Sequence, residues 1–414
     1  MARRALILLE GAHGVGQQYV QAAQSFGLHP ITLLADPAQY HHLAAGGLDA
    51  IQVDTNNLSA LIHECSRLRG TYEIAGVTSA EDKVYAMVGK LCQHLDLPGP
   101  NPASVERCCD KFTQRRLLED AGVPIPFYRL ATNAAEVESS AADIGLPVVV
   151  KPALGGTGGV GVRLCRNVAE LTEHTNHLLG GKHLWLSSPK ILVEEFAQGP
   201  FYEAETMGNE VIGISAADFD HPPHFVFRES IFPASLTNDE HKRISHVALS
   251  CLGALGLGWG PTNIELRWTT RGPVVIEVNP RIAGGTYPRR VQLAYGVDLV
   301  TEHIKLATGV DWELRRRYLQ TAGVRFLLPD RDGTLNWIGG DSRAATVSGV
   351  VEVKLYVEPK TQIVRKGDYR DRIGHVIAAS SSFAQTKAIL QDAVGLIDWS
   401  ITPFSPPDQE EHPS

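Results

Sequence analysis

Three groups of residues in this chain could do chemistry. The first is Lys151, at the end of the β-branched run Val148-Val149-Val150 and followed by Gly155-Gly156-Thr157-Gly158-Gly159-Val160-Gly161. Glycines leave backbone N–H groups unshielded by Cβ atoms, so such a loop can approach an anion closely, and the lysine adds a point charge suited to phosphate. A flexible hairpin tip with a solvated lysine is the competing reading. The second group is a pair of lone carboxylates, each interrupting an apolar run: Glu265 in Asn263-Ile264-Glu265-Leu266-Arg267-Trp268, and Glu277 in Val274-Val275-Ile276-Glu277-Val278-Asn279-Pro280-Arg281. The turn Arg271-Gly272-Pro273 between them predicts an antiparallel pair, with Asn279 on the face of Glu277. A buried carboxylate without a partner is expensive, so this oxygen-rich cluster points to magnesium, which leaves positions for water and substrate phosphates. Salt bridges to Arg267 and Arg281 are the alternative. The third group is Thr78-Ser79-Ala80-Glu81-Asp82, just after a predicted strand. Ser79 and Glu81 are candidate substrate contacts at the carboxyl edge of a parallel sheet, or simply caps of the next helix.

The elements that must hold these residues follow from periodicity. Strand Ala5–Leu9, a tight turn over 11–16, helix Gln17–Phe26 and strand Ile31–Leu34 form a βαβ unit. Asp36 after it suggests a dinucleotide site, but Tyr19 stands where a third glycine is needed, so the unit reads as scaffold. Further helices are predicted at Leu58–Leu68, Lys83–Leu95, Ser104–Ala121, Ala134–Ile144, Val168–Leu179 and Asp239–Leu255. The helix Ser104–Ala121 places Lys111, Arg115 and Leu118 together on its surface. Strands are predicted at Ile74–Val77, Gly161–Leu164, Ile191–Glu195, Phe201–Met207 and Val211–Asp218. Beyond residue 321 come strands near Val324–Leu327, Gly349–Val357 and His375–Ala379, a helix Ser382–Ile397, and an acidic, frayed tail over 403–414.

A chain of 414 residues exceeds one hydrophobic core, so two or three domains are expected. The formal net charge of -8, with no basic tract, argues against nucleic acid or an anionic membrane as partner. The six cysteines form no C-x-x-C pair, which suits a reducing compartment rather than a disulfide framework or a zinc site. The first apolar run is too short for a signal peptide and no run reaches spanning length, so a soluble cytoplasmic protein is expected.

Taken in order, Lys111, Lys151, the glycine loop, Glu194-Glu195-Phe196-Ala197, Glu265 and Glu277-Val278-Asn279-Pro280-Arg281 resemble the ATP-grasp superfamily. The terminal segments look most like its biotin-carboxylase-like branch. Within that branch, Asn279 to Gly285 is similar to bacterial L-amino acid ligases of the dapdiamide and bacilysin synthetase type. The resemblance implies an α/β ATP-grasp fold: an N-terminal parallel-sheet (Rossmann-like) domain over 1–110, an ATP-grasp region over 111–310 and a C-terminal α/β domain over 311–414. A small lid would lie at about 130–200 and a metal and catalytic half at about 200–310.

It implies ATP with two magnesium ions, manganese being an acceptable substitute. Lys111 and Lys151 would contact phosphates, under a closing loop that includes Gly155, Gly156, Thr157, Gly158 and Gly159. Glu194, Glu195, Phe196 and Ala197 would hold adenine, largely through backbone groups. The family often has Gly-Pro-Glu at the ribose contact. Here it is Gly199-Pro200-Phe201, which passes the role to Glu203 or Glu205. Glu265, Glu277 and Asn279 would ligate metal, and Arg281 would steady the transferred phosphate and the oxyanion. Arg228, Arg281, Gly284 and Gly285 form the candidate set for the substrate carboxylate, since arginine's fork suits that geometry; a surface pair for Arg228 is the alternative.

The implied activity is ATP-dependent amide formation between an amino acid carboxylate and an amino acid amine, through an acyl phosphate, releasing ADP and phosphate. No Ser, Cys or His nucleophile is needed, in keeping with the lack of a recognisable triad. Small-molecule substrates are expected, and homodimers are common among relatives. The alternatives are a carboxylase-like or purine-pathway enzyme of the same fold, and a nucleotide-binding regulator without turnover.

Overall fold

The computed structural model describes residues 2–10, 15–39, 49–155, 157–181 and 189–404. Residues 11–14 of the turn predicted over 11–16, Gly156 and most of the predicted tail lie outside them, and Val15 and Gly16 open the first helix. The chain begins with β1 (Arg3–Leu9), α1 (Val15–Ser25), β2 (His29–Leu34), β3 (Asp49–Gln52), α2 (Leu58–Leu68), β4 (Tyr72–Thr78) and α3 (Asp82–Leu95). Its four strands form a parallel sheet in the order β3-β2-β1-β4. Alternation in β1 explains why both faces are covered. Leu6 and Leu8 join the core shared with α1, while Ala5, Ile7 and Leu9 join the core under α2 and α3.

Two helices follow where one is predicted: α4 (Pro102–Cys109) and α5 (Lys111–Asp120). Asp110 between them is extended at φ -88°, ψ 104°, and its carboxylate accepts from Thr113 N at 2.8 Å, capping α5. The Lys111 N–H donates outward to Ala153 O at 2.9 Å. The break thus delivers Lys111 to the strand that carries Lys151.

A second layer comprises β5 (Tyr128–Ala131), α6 (Ala134–Ile144), β6 (Val148–Pro152), β7 (Arg163–Cys165), α7 (Val168–Gly180) and β8 (Ile191–Glu195). The strands pair antiparallel in the order β5-β8-β6-β7, and Val148, Val150, Ile191 and Val193 pack beneath Val137, Ala141, Leu171 and Leu178 of the two helices.

The large sheet draws on β9 (Phe201–Met207), β10 (Glu210–Phe219), β11 (Phe227–Phe232), α8 (Asn238–Leu255), β12 (Pro261–Thr269), β13 (Gly272–Asn279), α9 (Tyr287–Tyr295), α10 (Leu299–Ala307) and β14 (Thr321–Leu327). Then come β15 (Gly333–Gly339), α11 (Asp341–Ala344), β16 (Val350–Leu355), β17 (Gln362–Ile363), β18 (Gly374–Ser380), α12 (Phe383–Val394) and β19 (Asp398–Thr402). Eight strands run β13-β12-β9-β10-β11-β14-β18-β16, so the sheet continues across residue 310, and β17-β15-β19 form a small sheet beside it. Ala204, Ile264, Leu266, Val275 and Val278 pack with Ile244, Ala248 and Leu252 of α8. On β9 and β12 the residues between and beside them, Glu203, Glu205, Asn263, Glu265 and Arg267, are polar, and alternation sends them to the opposite face. Among the described residues, no helix is long and apolar enough to cross a membrane.

Candidate active site

Register, more than any single motif, builds the site. Glu277 lies opposite Glu265, Glu265 opposite Glu203, and Glu203 opposite Ser215, so three carboxylates and a serine stand in one row across β13, β12, β9 and β10. Burial, then Glu277 and Glu203, push the Glu265 carboxyl up to about 8. Burial also works against charge on Glu277. Lys111, Lys151 and Arg115 outweigh it and hold that carboxyl below its usual range. Asn279, opposite Asn263, is buried beside them.

The lysines bracket the Glu277 end. Lys111 Nζ lies 2.9 Å from Glu277 Oε1 and donates to Gly155 O at 2.6 Å, tying the glycine loop to the carboxylate row. Lys151 Nζ lies 2.6 Å from Glu194 Oε2, and Arg115 Nε donates to Glu194 Oε1 at 2.6 Å. Arg115 is therefore not on a helix surface; it is completely buried. Its neighbour Gln114 serves the edge strand β13 as a further strand would, donating to Val278 O at 2.9 Å and accepting from Val278 N at 3.1 Å. Arg115 itself donates to Ile276 O.

Arginines do not bridge the pair of metal-type carboxylates. Arg281 Nε lies 3.6 Å from Asp82 Oδ2 and its Nη1 donates to Ile282 O at 3.2 Å, with Glu265 and Glu277 within electrostatic reach. Arg267 donates to Gly199 O at 2.8 Å and sits 5.4–5.8 Å from the ring centroids of Phe196, Phe201, Phe219 and Phe225. Of the acidic cluster after β4, the member that reaches Arg281 is Asp82. Ser79 is buried and used as a brace, donating to Leu9 O at 2.6 Å and accepting from Glu81 N at 3.0 Å. Glu81 occupies the cap position of α3 without a side-chain cap bond.

Register places the remaining candidates. Glu203 stands in the carboxylate row, and its carboxylate accepts from Ser215 at 3.0 Å and from Ser230, on β11, at 3.3 Å. Phe201, after Gly199-Pro200, packs edge-on to Phe219 and Phe227. Glu205 is fully buried and accepts from Ala283 N at 3.0 Å, anchoring the turn that contains Gly284 and Gly285, and burial raises its carboxyl well above the usual range. Arg228 is displaced by a β-bulge. Asp218 pairs with Glu229 and Phe219 with Phe227, leaving Arg228 as the extra residue. Its guanidinium bonds Asp218, three residues from Ser215 and hence on the opposite face of the sheet.

In the loop, Gly155, Gly158 and Gly159 all have positive φ, and a Cβ on Gly158 would meet the Tyr369 ring at 2.6 Å. Of the predicted adenine residues, Glu194 is consumed by Arg115 and Lys151, and it is paired within the sheet to both β5 and β6. Glu195 pairs with Arg271 at 2.8 Å, Phe196 faces Arg267, and Ala197 is buried. Sequence reasoning missed Gln114, Ser215, Ser230 and two arginines, the buried Arg290 and the half-buried Arg372. Only Glu203, alternating with Glu205 as Glu265 alternates with Asn263, carried a period-2 signal that could have linked it to the row.

The donor set fits magnesium held jointly with phosphate. Among the described residues no three His, Cys, Asp or Glu side chains converge as a self-sufficient site, and magnesium needs only one or two carboxylates when phosphates complete its shell. Glu265, whose carboxyl burial and its two carboxylate neighbours push up to about 8, is the group a cation would ionise.

Parallel-sheet entry domain, antiparallel lid and a carboxylate row bracketed by lysines together define an ATP-grasp enzyme. Residues 110–315 match the family model of the carbamoyl-phosphate synthase L chain ATP-binding domain, and residues 325–402 match the L-amino acid ligase C-terminal domain 2. The chain is 57% identical to the uncharacterized protein y4rH of Sinorhizobium fredii over 99% of its own length and 86% of that protein's. It is 29% identical to human carnosine synthase 1 over 73% of its length, spanning 40% of that larger protein. The crystal structure of an L-amino acid ligase from Bacillus licheniformis superposes with a TM-score of 0.79 at 20% identity, covering 97% of this chain and 99% of that one, which shows a shared fold. The chain belongs to the ATP-grasp carboxylate–amine ligases.

Proposed function

We propose that this enzyme joins the carboxylate of an amino acid, or of a modified amino acid, to the amine of another amino acid. The carboxylate attacks the γ-phosphate of ATP to give an acyl phosphate and ADP. The amine then displaces phosphate from the acyl carbon through a tetrahedral oxyanion. The observation that carries this reading is the in-register row Glu277–Glu265–Glu203 with lysines at one end and Arg281 within electrostatic reach of Glu265 and Glu277. Phosphoryl transfer asks chiefly for positioning and neutralised charge, and these residues supply both.

In this reading Lys111 and Lys151 hold phosphates, and the loop over 155–161 closes to exclude water, which would otherwise hydrolyse the acyl phosphate. The backbone of 194–197 receives adenine. Glu265, Glu277 and Asn279 hold magnesium, whose charge would offset that of the phosphates. Arg281 donates to the transferred phosphate and to the oxyanion, and Gly284-Gly285 let a substrate approach the backbone. The test is phosphate release with Mg-ATP against single and paired amino acids, with ADP and AMP separated. ADP and phosphate only with particular pairs, plus a new amide by mass spectrometry, is the expected result. AMP formation would sink the acyl-phosphate route.

A further inference from the structure

Beyond the serine end of the row stand two arginines that no carboxylate answers. Arg290 on α9 is 4% exposed; its Nη1 donates to Ser230 Oγ at 2.7 Å, while its Nε is buried without a partner. Arg372, just before β18, stacks 3.9 Å from the Phe326 ring centroid and 5.9 Å from that of Phe227, and its Nε is likewise buried without a partner. Among the described residues, Lys111, Lys151 and Arg115 each have a carboxylate within 3 Å, whereas neither of these arginines has one within ion-pair distance. They feel each other's charge, and both feel Glu203, whose carboxylate is taken by two serines.

Burying a guanidinium is costly unless an anion pairs with it. Burial draws both arginines below their ordinary range. Placing two such groups near each other adds repulsion, which a shared anion would reverse. Space for one exists beside Arg372: with Gly285, Thr286, Phe326, Tyr356, Tyr369 and Arg370, the last already answered by Asp368, it lines a cavity of about 340 Å³. Arg290 lies on the helix that Thr286 begins. Tyr369 also touches Gly158, so closure of the glycine loop and occupation of this cavity share a wall.

We propose that Arg290 and Arg372 form the subsite that clamps the α-carboxylate of the amine-bearing amino acid. Two forked guanidinium groups suit a carboxylate. A carboxylate so clamped is neutralised and held off the phosphoryl-transfer row, so it is the one left unactivated. Glu203, felt by both arginines, favours a zwitterion, whose amino group it attracts, over a phosphate dianion, which it repels. The assignment rests on the ligase reading above, and the two can fail separately.

The binding test uses the intact enzyme with Mg-ADP, read by thermal shift against the twenty protein amino acids, their α-amides and inorganic phosphate. At least one free amino acid should stabilise the wild type while its α-amide does not. Arg372→Gln should abolish the shift, and Arg372→Lys and Arg290→Lys, which keep the charge and lose the fork, should weaken it. In turnover, Arg372→Gln should raise KM for the amine-bearing amino acid at least tenfold. The proposal is overturned if no amino acid shifts the wild type, if acid and amide stabilise alike, or if inorganic phosphate stabilises as well as any amino acid. It is equally overturned if Arg372→Gln raises KM only for the activated acid. Hydroxamate formation by the wild type from an acid, Mg-ATP and hydroxylamine tests the ligase reading separately, because hydroxylamine carries no carboxylate. Its absence would remove that reading while the binding comparison still decides the subsite.

Discussion

Replacing Glu265 by Gln should stabilise the metal-free protein, by an amount that grows with pH. In the folded chain this carboxyl is pushed up to about 8 by burial and by Glu277 and Glu203 facing it across the sheet, against an ordinary 4.5. Below that ordinary value both folded and unfolded chains keep the proton, and the residue makes no pH-dependent contribution. Between the two values the unfolded chain releases its proton while the folded chain does not, so wild-type stability falls by about 1.4 kcal/mol per pH unit. Above pH 8 the loss levels off at about 5 kcal/mol, or roughly half that once water in the cleft screens the pair. Glutamine has no proton to lose and escapes the penalty. The assay is the thermal midpoint of wild type and Glu265→Gln in EDTA from pH 5 to 9. The gap should open through pH 5–8, by about 1 °C per kcal/mol for a chain of this length, then level. Millimolar magnesium with ADP should raise the wild-type midpoint at pH 8 and leave Glu265→Gln nearly unmoved. A gap that stays flat from pH 5 to 9 would refute the account of Glu265 as a carboxyl held protonated by its row.

Three further outcomes follow from the geometry. Arg281→Ala should lower kcat by roughly 10²–10³-fold, as loss of one oxyanion donor does, with ATP affinity measured separately to show that nucleotide still binds. Arg115→Met should destabilise the protein by about 1.5–3 kcal/mol, because it strips one of two buried partners from Glu194 and leaves Lys151 as the other. The double variant Arg115→Met/Glu194→Gln should recover part of that loss in chemical denaturation. Gly158→Ala should slow turnover, since its φ of 68° and the Tyr369 ring at 2.6 Å both oppose a Cβ; Tyr369→Ala in the same chain should relieve only the steric part, and full recovery would show that backbone strain is irrelevant there.

Much of this protein was legible in its sequence, and the reason is that the signals concerned are local. Helices Leu58–Leu68 and Ala134–Ile144 and strands Ile191–Glu195 and Phe201–Met207 have the bounds that caps and alternation predict. The lysine before the glycine loop and the paired carboxylates of a hairpin were visible because each pattern is complete within a few residues. The ligand roles inferred from them stand as proposals, and the ATP-grasp assignment rests on their order along the chain.

What only the tertiary structure decided involves residues far apart in sequence. Arg115 and Glu194, 79 residues apart, become buried partners, so a position that reads as a helix surface carries a completely buried guanidinium. The helix over Ser104–Ala121 breaks at Asp110, which caps a new helix, and the Lys111 N–H donates to Ala153 O instead of within a continuous helix. Glu203 joins Glu265 and Glu277 only because β9 pairs with β12 in that register, and one extra residue in β11 carries Arg228 away from them. Arg290 and Arg372 bear no local signature, because a charge without a partner is a property of what packs around it. Periodicity within a segment determined the elements and which of their residues face together; register, bulges and burial, set by contacts between segments, decided which of those residues meet.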